Sequence, residues 1–121
     1  KSEKAIHRLL RRLNNGAAVK QPLLDLSVVG LRTYVGKQPF PKRLTDHDLR
    51  RIHTPTLILF GENSPVNVVD RAVARSHGLI AGVVTEVIPD AGHMLPVEQP
   101  KLFTNRVLGF IEGIDLRSPG S

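Results

Sequence analysis

The sequence holds no cysteine, which excludes disulfides and thiolate metal ligands and leaves the redox compartment open. Aromatic residues make up only 4% of it, so any core must rest on Leu, Ile and Val. No apolar run approaches the roughly 18 residues needed to cross a bilayer. The charged opening Lys1-Ser2-Glu3-Lys4 lacks a signal-peptide core, so a cytoplasmic protein with no membrane partner is expected. The five histidines show no His-x-x-x-His or comparable ligand spacing, so no metal is expected. There is no internal repeat and no low-complexity tract.

What is present suits a folded chain. The 121 residues are enough for one domain, and 40% are hydrophobic against 23% charged. The net charge of +6 is unevenly placed. Residues 1–51 hold 12 Lys and Arg against 4 Asp and Glu, and residues 52–121 hold 5 against 7. A basic half can mark a nucleic-acid partner. Here the basic residues interleave with Leu at helical spacing and have no aromatic platform beside them. They read as a solvated helix face, and no nucleic-acid partner is expected.

Apolar spacing divides the chain into elements. Ile6, Leu9, Leu10 and Leu13 share one face of a helix over 3–15, which Asn15-Gly16 stops. A second helix starts at Pro22, with Leu24, Val28, Leu31 and Val35 on one face, and runs to Gly36. The two prolines of Lys37–Lys42 fix φ and remove donors, which predicts a loop. Thr45-Asp46-His47-Asp48 is a capping-box pattern with Asp in place of Glu, opening a short helix over 48–52. Thr56–Phe60 reads as a strand buried on both faces. Val66, Val69 and Val73 predict a helix that closes near Gly78, and 83–88 a second strand. Glu98-Gln99-Pro100 opens a last helix with Phe103, Val107, Phe110 and Ile111 on one face. Leu116–Ser121 reads as a flexible tail. Helix, strand, helix, strand, helix is an α/β order with parallel neighbours. Two strands make a poor sheet, so the order reads as the end of a larger fold.

Two strand-end loops carry the chemistry. One is Gly61-Glu62-Asn63-Ser64-Pro65 and the other is Asp90-Ala91-Gly92-His93-Met94-Leu95-Pro96-Val97-Glu98-Gln99-Pro100. Together these units resemble the C-terminal part of an α/β-hydrolase. The resemblance covers residues 45–112 closely and residues 1–44 more loosely, as the end of a helical cap. It implies three parts: a cap-like segment 1–44, an α/β segment 45–115 and the tail 116–121. It also implies that His93 is the histidine of a nucleophile-acid-histidine triad, in which the acid orients the imidazole and the imidazole takes the nucleophile's proton.

Two parts of the family pattern are missing. The nucleophile elbow, Gly-x-Ser-x-Gly, does not occur in these 121 residues. The slot that holds the acid in a Gly-x-x-Asp loop is occupied by Ser64, which carries no charge. Glu62 and Asp70 are the nearest candidate acids; an acid outside these residues, or loss of the acid, are the alternatives. Asp90 reads as a turn former. Glu98 and Gln99 read as helix N-terminal residues. His7, His47, His53 and His77 read as surface or structural.

Two functions follow. The first, implied by the resemblance, is a segment of a serine-nucleophile hydrolase that needs no cofactor and acts on a small ester-like substrate, with Leu23, Leu24, Leu26 and Val29 helping to line the pocket. The second is a binding or assembly module without activity. In either case the chain is expected to pair with the remainder of the fold or with a copy of itself.

Overall fold

A computed structural model describes residues 2–36 and 42–114. The tail 116–121 and most of the Lys37–Lys42 loop lie outside the described residues. Two helices come first, α1 (Glu3–Leu13) and α2 (Gln21–Thr33). Ser2 caps α1 by accepting the Ala5 N–H. The helix ends where Asn15 and Gly16 turn to φ of 49° and 82°, a left-handed backbone that Gly adopts at little cost and Asn tolerates. Ile6, Leu10 and Val19 are buried together, with Leu23, Leu24 and Val28 of α2 packed on them.

The second helix is shorter than its apolar spacing suggests. It stops at Thr33 rather than Gly36, and Tyr34 is already extended. Thr33 and Val35 are β-branched and Tyr34 is aromatic, all weak helix formers. No packing compensates, since Tyr34 is 70% and Val35 81% exposed. Leu31 is exposed as well. The face predicted to run through Leu31 and Val35 therefore packs only as far as Leu24 and Val28.

Helix α3 (Asp46–Arg50) starts two residues before the sequence suggested, at an N-cap on Thr45. The capping box is complete. Asp48 N–H donates to Thr45 Oγ1, while the Asp48 carboxylate accepts from Thr45 N–H at 2.8 Å and Thr45 Oγ1 at 2.7 Å. These bonds, the hydroxyl first, hold the Asp48 carboxyl below its ordinary value.

Strand β1 (Leu57–Gly61) lies parallel to β2 (Val84–Ile88), with Leu57 opposite Val84 and Gly61 opposite Ile88. Helix α4 (Val69–Leu79) connects them. Val66, expected on that helix, lies before its start and is exposed. Short α5 (Leu95–Glu98) and long α6 (Pro100–Gly113) follow.

Successive strand residues face opposite sides of a sheet, and the packing follows that rule. Ile58 packs with Leu79 on the cluster of Leu49, Ile80 and Val83 on one face, and Leu59 packs with Leu102 and Phe103 on the cluster of Ile88, Ala91 and Leu95 on the other. Polar ties repeat the division: His77 of α4 reaches Thr85 Oγ1 at 2.7 Å, and Arg106 of α6 reaches Glu86 at 2.7 Å. The result is helix, sheet, helix, in agreement with the α/β order. Strand β2 is partly open to solvent, since Val84 and Val87 are exposed. Among the described residues the sheet has two strands. No helix among the described residues is long and apolar enough to cross a membrane.

Candidate active site

The parallel pair brings both strand-end loops to one edge. Glu62 N–H extends the strand ladder by donating to Ile88 O at 3.0 Å, and Asn63 N–H donates to Ala91 O at 2.8 Å. Gly61 makes the approach possible, because a Cβ there would lie 1.7 Å from Gly92 O. No other residue fits unless the loops move apart.

Across this edge Ser64 Oγ and His93 Nδ1 are hydrogen-bonded at 3.2 Å. Ser64 is buried, and its oxygen also accepts the Val66 N–H at 3.4 Å. The His93 side chain is exposed. One ring nitrogen is therefore held by the protein, and among the described residues Nε2 has no protein partner. A ring held at Nδ1 and open at Nε2 has the arrangement of an imidazole that exchanges protons with a reacting group.

The candidate carboxylates do not meet the ring. Glu62 accepts the Asp90 N–H at 3.1 Å and so braces the histidine loop from its start. Asp70 is exposed, the second residue of α4, and no hydrogen bond joins it to His93 among the described residues. Both line a shallow depression of about 330 Å³ with Asn67, Val68, Val69 and Val87, which excludes His93. The residue that touches the imidazole is the one at the acid slot, Ser64. Its place in the Gly61–Pro65 loop was the available signal, and its lack of charge argued against it.

The histidine loop is fastened along its backbone. Asp90 sits at φ 53°, the turn conformation expected of it, and its carbonyl accepts from Asn15 Nδ2 at 2.8 Å. His93 N–H donates to Leu13 O at 2.7 Å. Glu98 is the last residue of α5, not the first residues of the final helix as its sequence context suggested. Its carboxylate reaches back to Gly92 N–H at 2.7 Å and Met94 N–H at 3.0 Å. Gln99 does precede α6, as its N-cap, and donates to Pro89 O. Of the remaining histidines, His77 ties α4 to β2 and His7 lies 3.7 Å from Glu3. Among the described residues no cluster of three His, Asp or Glu side chains is suited to a metal ion.

No protein-family model matches the chain. Carboxylesterase YbfK of Bacillus subtilis (strain 168) is 38% identical to it over 74 residues, 61% of this chain and 25% of that protein. The crystal structure of carboxylesterase CesB (YbfK) from Bacillus subtilis superposes with a TM-score of 0.79 at 28% identity, covering 93% of this chain and 43% of that one. Naproxen esterase (carboxylesterase NP) from the same species gives 0.79 at 27% identity, covering 91% and 41%. The chain thus spans less than half the length of either solved structure.

Proposed function

We propose that this chain, whose fold is that of the C-terminal part of an α/β-hydrolase, supplies the catalytic histidine of a serine esterase whose nucleophile lies outside these 121 residues. The observation that carries the reading is the Ser64–His93 hydrogen bond at the shared strand edge. In this reading His93 Nδ1–H donates to Ser64 Oγ, which leaves the Nε2 lone pair for the nucleophile's proton. His93 then returns that proton to the leaving alcohol. The substrate class is taken from the carboxylesterase relatives. The α1–α2 pair, whose cluster of Ile6, Leu10 and Val19 also takes Met94 of the histidine loop, is the end of a cap beside the pocket.

Ser64 orients the ring but cannot neutralise an imidazolium. The esterase is therefore slower than one with a carboxylate in that slot, unless an acid reaches the ring from residues outside the chain. A binding or assembly module is the second reading. The apolar residues Leu26, Val29 and Tyr34, exposed on α2 and at its end, favour it.

The test joins this chain to the part of CesB that it does not match and measures hydrolysis of short p-nitrophenyl esters. The 121-residue chain alone is expected to show none, because a histidine without a positioned nucleophile retains little of the triad's rate. The hybrid is expected to turn over, and His93→Ala to abolish the turnover. A folded, inactive hybrid, or activity that survives His93→Ala, contradicts the proposal.

A further inference from the structure

We propose that Glu98 is the positioning residue of His93, its carboxylate clamping the backbone on both sides of the histidine. This rests on the reading of His93 as the catalytic base. One oxygen, Oε2, accepts the N–H of Gly92 at 2.7 Å. The other, Oε1, accepts the N–H of Met94 at 3.0 Å. The residue between them is His93, whose own N–H goes to Leu13 O at 2.7 Å. Three consecutive amides are thus fixed by acceptors outside the loop, and two of the three bonds end on one carboxylate.

The chemistry suits a carboxylate and no other side chain. Two N–H donors converge on one group, so both of its ends must accept. An ionised carboxylate offers two acceptor oxygens and no donor, whereas an amide would turn an N–H₂ toward one of the loop amides. Hydrogen bonds to an ionised acceptor are also roughly twice as strong as neutral ones. The main chain closes the ring from the other side, since Glu98 N–H donates to Met94 O at 2.9 Å. Gly92 leaves space chiefly for the end of α1, because a Cβ there would lie 2.6 Å from Leu13 O and 2.7 Å from Asn15 N, with Glu98 Oε1 next at 3.0 Å. Glu98 is partly buried and reaches the reacting ring only through the backbone it holds.

The clamp defines where the ring pivots. With Gly92 and Met94 fixed, the Cα–Cβ direction of His93 is fixed, and Ser64 then sets the ring orientation through Nδ1. Release of the clamp frees the backbone while Ser64 remains in place, so the ring drifts from its reactive pose. A displacement of this kind in a catalytic group costs on the order of 10- to 100-fold in rate.

The test uses Glu98→Gln and Glu98→Ala in the 121-residue chain and in the CesB hybrid. NMR of the chain reads the His93 ring nitrogens and the Ser64–His93 contact, and neither needs turnover. The expected result is a shifted or broadened His93 ring signal in both variants, with kcat of the hybrid lowered about 10- to 100-fold and KM little changed. Folded variants that keep the wild-type ring signals and kcat would overturn the clamp. Failure of both variants to fold would also overturn it, by assigning Glu98 to the fold. Altered ring signals in the chain variants, together with a hybrid that was inactive from the outset, would uphold the clamp and count against the esterase reading instead.

Discussion

A single hydroxyl decides how far the site resembles a triad. Ser64 holds the imidazole at 3.2 Å, which fixes orientation, but it adds no negative charge when the ring takes a proton. Ser64→Asp is therefore expected to raise kcat of the esterase hybrid. The upper bound is about 10⁴-fold, the cost of replacing the orienting carboxylate by an amide in a complete triad, where the wrong tautomer adds to the lost charge. Steady-state kinetics at neutral pH check it, and an unchanged or lower rate would show that charge at this position is not limiting. The place of the His93 loop was legible, because the loop follows a strand, contains Gly92 and leads into a helix. The identity of its partner was not. Sequence gives the slot that Ser64 occupies, but its bond to Nδ1 depends on how closely two loops 29 residues apart approach. That approach is set by backbone atoms at Gly61 and Gly92. Glu98 was misread for a related reason. A carboxylate near a helix start suggests interaction with the helix dipole, whereas this one folds back onto the amides preceding its own short helix.

Elements were read best where local chemistry alone determines them. The Thr45–Asp48 capping box is one such case, since all its partners lie within four residues. Its stability contribution has a definite sign with pH. Because Asp48 is held below its ordinary 3.8 in the folded chain, the contribution is present above that value and lost as pH falls through the lower folded value. Hydrogen exchange of the Asp48 and Leu49 amides should accelerate on that acid side relative to Asp48→Asn, which lacks the titration. The same acid dependence in the variant would contradict the assignment. Elements that need tertiary support were read less well. The apolar spacing of α2 continues through Val35, yet its last turn is exposed and the helix stops at Thr33. The parallel pairing was legible from the strand-helix-strand order, whereas the intolerance at its end was not. Gly61→Ala would place a Cβ against Gly92 O. It should destabilise the chain by about 3 kcal/mol, the upper part of the overpacking range, as a lowered urea midpoint. A change below about 0.5 kcal/mol, the size of an ordinary surface substitution, would mean that the loops separate easily.

The described part of the molecule is held by three separate small clusters. Ile6, Leu10 and Val19 lie between α1 and α2, Leu49, Ile80 and Val83 under one sheet face, and Ile88, Ala91 and Leu95 under the other. A domain of this size ordinarily has one contiguous core. Other large apolar side chains are exposed, among them Leu26, Val29, Val84, Leu108 and Ile111. A two-stranded sheet with open edges is marginal in water and offers a template for pairing. The isolated chain is therefore expected to self-associate, and sedimentation at micromolar concentration should show species heavier than 13.3 kDa. A single species at that mass with cooperative unfolding would contradict this. In the proposed esterase, His93 activates a nucleophile supplied from outside these residues. A fluorophosphonate reacts covalently with a base-activated serine, so labelling of the CesB hybrid reads that activation. Rapid labelling of the hybrid and loss of labelling in its His93→Ala variant are expected. Equal labelling of the two proteins would contradict that role of His93.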